Sequence, residues 1–454
     1  MARQPTRAAS RLAAYRSTDP DLHPPLRMQV LLGFQHVLAM FASNVTIPII
    51  LAGLIGADAA ETTSLIQVAI LVAGLTTVVQ GVGLGPVGAR LPIVNGSGFV
   101  FAAVAFPVAV EYGLPAVFGG ALVAGVVQLL AGLVIPRLMF LFPTVVLGIV
   151  LTSVGLGLIP TGIEMAAGGA GSADFGSPRN LALAALVLTL AIALSHYGRG
   201  LLSAAAILLA LAVGYVVAIP LGMVDWQPVA DAARVSVAVP LQFGVAFEPA
   251  AMVAMGVAGL VNVLDSMGSM VAVTKGTADR EPTAREYTGM VTGSGVGALL
   301  AGLFGTVPST SYSQNAGLVP LTGILSRHVA TATGAILVLL SLFPKGAAAI
   351  TAMPSAVLGG AAILLFGNVL AIGIKLLGET GLDQRLLIVV AVSLTVGQGL
   401  GLVPEAIAVL PDQLVTLLGT GVVPAVVVGI ILNLVLRERT EDRPEQREPA
   451  RPTP

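Results

Sequence analysis

The sequence predicts an all-α polytopic membrane protein, and three observations carry that prediction. The chain is 56% hydrophobic and only 10% charged over 454 residues, with a mean hydropathy of +0.95. A soluble domain carries roughly a quarter of its residues charged. The charges gather at the two ends and in short gaps between long apolar runs. Those runs lack the period-2 alternation of a membrane barrel.

The stretches 28–53, 61–82, 115–135, 199–223 and 411–435 are each long enough to cross a hydrocarbon core of about 30 Å as one helix. Read from gap to gap, the chain gives fourteen membrane segments, centred near residues 40, 72, 102, 125, 149, 188, 211, 260, 295, 315, 336, 366, 392 and 423. Orientation follows from Lys and Arg, which are retained on the cytosolic side. With the N-terminus inside, 19 of the 22 basic residues fall inside, and only Arg179, Arg234 and Lys345 fall outside. A miscount by one span would place the two tails on opposite sides and spoil this asymmetry.

Fourteen spans divide into two sets of seven that run in opposite senses. Inverted repeats of this kind characterise secondary transporters, with the site near the midplane at the repeat interface. The polar gap 224–247 is the natural seam, an extracytoplasmic connector. Residues 1–27 read as a cytosolic tail without the apolar region of a cleavable signal, and residues 437–454 as a second solvated tail. Cysteine is absent, which excludes a disulfide framework and a thiolate metal site.

Two spans differ from the Leu-, Val- and Ala-rich rest, and they occupy the third position of each half. The third reads Pro92-Ile93-Val94-Asn95-Gly96-Ser97-Gly98-Phe99 and the tenth Pro308-Ser309-Thr310-Ser311-Tyr312-Ser313-Gln314-Asn315. Between them they carry β-branched, Gly and hydroxyl residues before a short apolar stretch, predicting extended chain followed by a half-helix that starts at Gly98 or Gln314. Non-helical backbone at membrane depth is tolerated only where it is buried in protein or lines a cavity. A half-helix start offers unpaired N–H groups to a ligand. The bland reading is two kinked or re-entrant segments packed for structure alone.

The eighth span carries Asn262 and Asp265. An acid within a span is costly and faces a cavity or partner. It reads as a substrate acceptor, a protonation site or part of a cation site; the alternative is a cap on a nearby half-helix. In the first span His36 is a relay or a structural group, while Ser43 and Asn44 fall two turns further along. Glu164, Asp174, Glu248 and Lys345 sit at span ends and read as solvated.

At Gln314-Asn315-Ala316-Gly317-Leu318-Val319-Pro320-Leu321-Thr322-Gly323 the chain resembles the signature of the nucleobase–ascorbate transporter family. Gln35-His36, the Gly-Ser-Gly-Phe start of the third span and Asp265 in an acid-x-x-Gly setting support it. The resemblance implies a core domain (28–135 and 248–343) that carries substrate past a gate domain (136–223 and 344–436). It implies an elevator-like motion and a homodimer formed through the gate. It makes Asp265 and Gln314 the side chains that grip a base, Phe99 the stacking ring and Ser43 a pocket residue. Backbone at Gly98 and Ser313 would donate, and Asn315 joins the substrate-binding set. Asp265, His36, Asn44, Ser269 and Ser294 are the proton-coupling or supporting candidates.

Gln at the motif's first position resembles bacterial xanthine and uric acid carriers, which points to an oxidised purine; uracil carriers tend to have Glu there. Three departures stand out. The eighth-span acid is Asp, one methylene shorter than the family's common Glu. Ser269 and Ser294 stand where many relatives have His or a carboxylate. The expectation is therefore a nucleobase symporter of the cell membrane with both termini cytoplasmic. It needs no cofactor beyond a coupling ion, H⁺ before Na⁺, and binds no nucleic acid. A channel would need polar faces on more spans, and an anion carrier would favour a cation at position 265. An enzyme would need an acid–base or metal-ligand cluster, which the sequence does not supply.

Overall fold

A computed structural model describes residues 16–138 and 144–436; the outer part of each tail lies outside them. Among the described residues, nine helices are long and apolar enough to cross a membrane. In chain order these are α1 (Leu26–Ile55), α2 (Ala59–Val82), α4 (Leu114–Leu138), α5 (Thr144–Ala166), α6 (Pro178–Tyr197), α8 (Pro249–Ala278), α9 (Ala284–Phe304), α12 (Ser355–Glu379) and α13 (Gln384–Leu402). Shorter helices lie between or after them: α3 (Phe99–Tyr112), α7 (Ala206–Ala218), α10 (Ser313–Thr322), α11 (Arg327–Ser341) and α14 (Val422–Val435). Helix α11 meets a further short helix, Pro344–Thr351, at a 78° bend.

Two of the long apolar runs are not single helices. The run 199–223 breaks at Ala205, between Leu201–Ala204 and α7. The run 411–435 breaks before α14, where Gly421 takes φ 71°, a left-handed conformation that only glycine adopts cheaply. Hydropathy registers apolar composition but not such a turn.

The helices pack in two groups. Helix α2 lies against α11, α9 and α1, while α4 lies against α9 and α8. In the second group α12 packs on α5, α6 and α7, and α13 packs on α14 and α5. Helix Pro344–Thr351, at the start of the segment expected to open the second group, lies instead against α2 in the first. Apolar side chains gain little by leaving lipid for one another, so close backbone approach holds such bundles together. A Cβ added at Gly74 would stand 2.8 Å from the Gly334 carbonyl, and one at Gly359 2.1 Å from the Ala166 nitrogen.

The two extended segments meet. Asn95–Ser97 (β1) and Ser309–Ser311 (β2) form an antiparallel ribbon in the register Asn95↔Ser311, Gly96↔Thr310 and Ser97↔Ser309. The pairing continues where Tyr312 N–H donates to the Val94 carbonyl at 3.0 Å and Gly98 N–H to the Pro308 carbonyl at 2.9 Å. All six strand residues are buried. Helix α3 begins directly after its N-cap Gly98. Helix α10 has Tyr312 as N-cap, so it starts one residue before Gln314, because the Tyr312 carbonyl already accepts from Ala316 N–H.

Sidedness follows from polar contacts. On one face Arg327 pairs with Asp21 at 2.7 Å and donates to the Val82 carbonyl, while Arg285 donates to the Gly85 carbonyl at 2.8 Å. Across the molecule Gln67 donates to the Ser341 carbonyl and Lys345 to the Val229 carbonyl. Residues 16–25, ahead of α1, therefore share a face with the Arg-bearing turns between α2 and β1, α8 and α9, and α10 and α11.

Gly96 tests the ribbon. An added Cβ would lie 2.5 Å from Tyr312 Cε2 and 2.7 Å from Met40 Cε. Gly96→Val is expected to cost about 1–3 kcal/mol from overpacking, read as a lower unfolding temperature of the purified protein. Gly53→Ala, with nothing within 4 Å of the new methyl, is expected to unfold at the wild-type temperature.

Candidate substrate site

The ribbon is held by side chains from three helices. Asn262, Asp265 and Ser269 fall at i, i+3 and i+7 on α8, one helical face, and they take successive residues of β2. Asn262 Nδ2 donates to the Ser309 carbonyl at 3.4 Å. Thr310 Oγ1 donates to Asp265 Oδ2 at 2.8 Å. Ser269 Oγ donates to the Ser311 carbonyl at 3.5 Å. On the β1 side, Asn44 Oδ1 of α1 accepts from Ser97 N–H at 2.8 Å and from its hydroxyl at 3.2 Å. Thr77 Oγ1 of α2 accepts from Asn95 N–H at 3.0 Å. Tyr312 Oη ties the halves by donating to the Ser97 carbonyl at 2.9 Å.

In front of this support lies a narrow slot of about 50 Å³ lined by Phe99, Val100, Asp265, Thr310–Gln314 and, from the facing group, Leu151, Asn368, Val369 and Ile372. It adjoins a vestibule of about 410 Å³, with which it shares Ser313, Gln314 and Asn368. The larger space runs past Gly317 and Leu321 of α10 and Gly198 and Gly200. Gly323, two residues beyond Leu321, is beside Arg16, so the vestibule leads toward the basic face.

Four of the residues singled out from sequence thus line one slot: Phe99, Asp265, Ser313 and Gln314. The others stand elsewhere. Gly98 lends its N–H to Pro308, so that donor is spent inside the ribbon and not offered to a ligand. Asn315 turns away, its Nδ2 donating to the His36 carbonyl at 2.9 Å and lying 3.1 Å from His36 Nδ1. Ser43 is buried and lines neither space. Asn44 and Ser269 clasp the ribbon. Ser294 lies 3.5 Å from Gln80 Nε2, behind it. Thr310, Tyr312 and Asn368 were not singled out. For Asn368 the signal was legible: it is a lone amide in the middle of an apolar helix.

Chemically the slot offers an apolar wall, the Phe99 ring and a concentrated polar edge. Asp265 keeps one oxygen for a ligand donor after Thr310 has taken the other. The Gln314 amide both donates and accepts. No side chain caps the start of α10, so its first N–H groups point outward with the positive end of the helix dipole. Phe99 meets Phe366 edge-on at 5.9 Å, which fixes one side of its ring.

A profile of the Permease family (Xan_ur_permease) matches residues 27–406. The chain belongs to this family. The permease is 39% identical over 420 residues to a putative purine permease of Clostridium perfringens, covering 92% of each. It is 36% identical to the xanthine permease of Bacillus subtilis, over 89% of this chain and 92% of that one. To the uric acid transporter UacT of Escherichia coli it is 33% identical, over 89% and 85%. Among solved structures, the transmembrane domain of the cyanobacterial bicarbonate transporter BicA superposes with TM-score 0.54 at 17% identity, covering 91% of this permease and 98% of that chain. SLC26A9 superposes with TM-score 0.59 at 12% identity, covering 90% and 65%. These two establish a shared fold. The permease is a multi-pass membrane transporter, not an enzyme. Among the described residues no group of three His, Cys, Asp or Glu side chains is placed to hold a metal.

Asp265→Asn retains an acceptor for Thr310 but loses the charge that would hold a ligand donor at the second oxygen. Hydrogen bonds to a charged group contribute about 1.5–3 kcal/mol, so substrate affinity is expected to fall by about ten- to a hundredfold with normal membrane insertion. Binding and uptake within twofold of wild type would remove Asp265 from the site.

Proposed function

We propose that this permease imports an oxidised purine, xanthine or uric acid, by ion symport. The observation that carries the reading is the placement of the Asp265 carboxylate and the Gln314 amide on one slot beside the Phe99 ring. A nucleobase presents alternating N–H donors and carbonyl acceptors along a planar edge, with a π-face beside it. A carboxylate accepts from adjacent N–H groups, an amide matches a mixed edge, and an aromatic ring stacks on the face. The names of the relatives, purine, xanthine and uric acid carriers, agree with this chemistry. A small inorganic anion has no planar face for Phe99 and no ring N–H edge for Asp265, which argues against the cargo of the structural neighbours.

The chain crosses the membrane fourteen times as two inverted sets of seven, with both termini cytoplasmic, in the cell membrane. The first packing group is the moving core and the second the gate, through which a homodimer forms. The wall contributed by the gate is apolar but for one amide, while the core supplies the charged acceptor and the backbone donors. That division favours an elevator-like motion, in which the core slides with its ligand past a smooth surface. The vestibule on the basic face makes this an inward-open arrangement. Among the described residues Asp265 is the sole carboxylate lining the slot, and it alternates between protonated and ionised forms, which favours H⁺ over Na⁺ as the coupling ion.

The test is a thermal-shift series on purified protein with xanthine, uric acid, uracil, guanine and ascorbate, with and without Na⁺ at two pH values. Stabilisation by xanthine or uric acid without a Na⁺ requirement is expected. Stabilisation by uracil or ascorbate alone would overturn the assignment. Gln314→Glu exchanges a donor for a second acceptor and is expected to move preference from purines toward uracil. An unchanged order of nucleobases would show that Gln314 does not read the ligand.

A further inference from the structure

Helix α12 is apolar over its length except near its ends, at Ser355, Lys375 and Glu379, and at one point in the middle, Asn368. An amide at that depth faces a cavity or a partner. Asn368 is exposed and has no hydrogen-bond partner among the described residues, yet it lines both the slot and the vestibule. It therefore stands at the threshold between them, opposite Ser313 and Gln314. Its neighbours on that wall, Leu151, Val369 and Ile372, are apolar. The facing group thus presents one polar side chain to whatever occupies the slot.

We propose that Asn368 reads the substrate edge that the core leaves free and so sets discrimination among oxidised purines. The inference rests on the reading of the permease as a purine carrier. With the six-membered ring's edge held at Asp265 and Gln314, the five-membered ring points across the slot toward α12. That edge carries ring nitrogens and the carbon at which xanthine and uric acid differ, a C–H in one and a carbonyl in the other. A carboxamide donates to a carbonyl or bare ring nitrogen and accepts from a ring N–H, so it distinguishes the two. Because Asn368 belongs to the group that packs apart from the ribbon, the contact exists only while the core faces this way. It reads the ligand at entry and release.

The experiment is uptake of labelled xanthine into cells expressing wild type, Asn368→Ala or Asn368→Ser at matched membrane levels, with unlabelled xanthine, uric acid and uracil as competitors. Loss of one hydrogen bond predicts a rise in xanthine KM of about three- to tenfold in Asn368→Ala, with partial recovery in Asn368→Ser. The ratio of half-inhibitory concentrations of uric acid to xanthine is expected to shift at least about threefold. Inhibition by uracil, which lacks the five-membered ring, is expected to stay at its wild-type value. An unchanged ratio, or equal weakening of all three competitors, overturns the role of Asn368 while wild-type uptake leaves the purine reading standing. Failure of the wild type to take up any purine overturns that reading and this inference together.

Discussion

A peptide group in the middle of a membrane has no water to bond, and two stretches of this chain leave the helix at that depth. They satisfy each other. The ladder between residues 94–98 and 308–312 turns a double liability into one element, a two-stranded ribbon with its ends closed by helix starts. An unpaired backbone group there would cost several kcal/mol, so neither segment is stable without the other. The pairing fixes where α3 and α10 begin, and therefore where their free N–H groups point.

Everything around the ribbon serves that pairing or uses it. Asn44 and Thr77 hold the first strand from α1 and α2, while Asn262, Asp265 and Ser269 take the second along one face of α8. Asn315 and His36 anchor the first turn of α10 to α1. Most of these polar side chains spend their capacity within the protein. Asp265 is the exception, because it both supports Thr310 and opens onto the slot. Under the proposed function a single carboxylate would link the integrity of the ribbon to occupancy of the site, where a proton would couple to a ligand.

Much of this was legible beforehand, and the limits have physical causes. Two Pro-led interruptions in corresponding spans, one rich in Gly and the other in hydroxyls, announced extended chain, and an acid in an apolar run announced a cavity. Sequence could not show which N–H groups the pairing consumes, so Gly98 looked like a donor to a ligand although its N–H is given to the Pro308 carbonyl. Nor could it separate residues in the slot from those one layer behind: Ser43, Asn315 and Ser294 share the polarity of Ser313 and Gln314 and differ only in direction. Apolar composition hid the breaks at Ala205 and Gly421, since a turn buried among helices needs no polar residues. Asn368 was visible as a lone amide, but its helix carries no motif, and only the packing of α12 across the slot gives it meaning.

The two walls of the slot divide the chemistry: charge, hydroxyls and helix starts on one side, hydrocarbon and a single amide on the other. In the proposed elevator-like motion a ligand bound to the first wall would travel with it at little cost against the second. The most direct measurement is a structure of the protein with xanthine bound. The account requires the base to lie flat on Phe99 with its N–H edge on Asp265 and its mixed edge at Gln314. A base seated elsewhere, or held mainly by the α5–α12 wall, would contradict it.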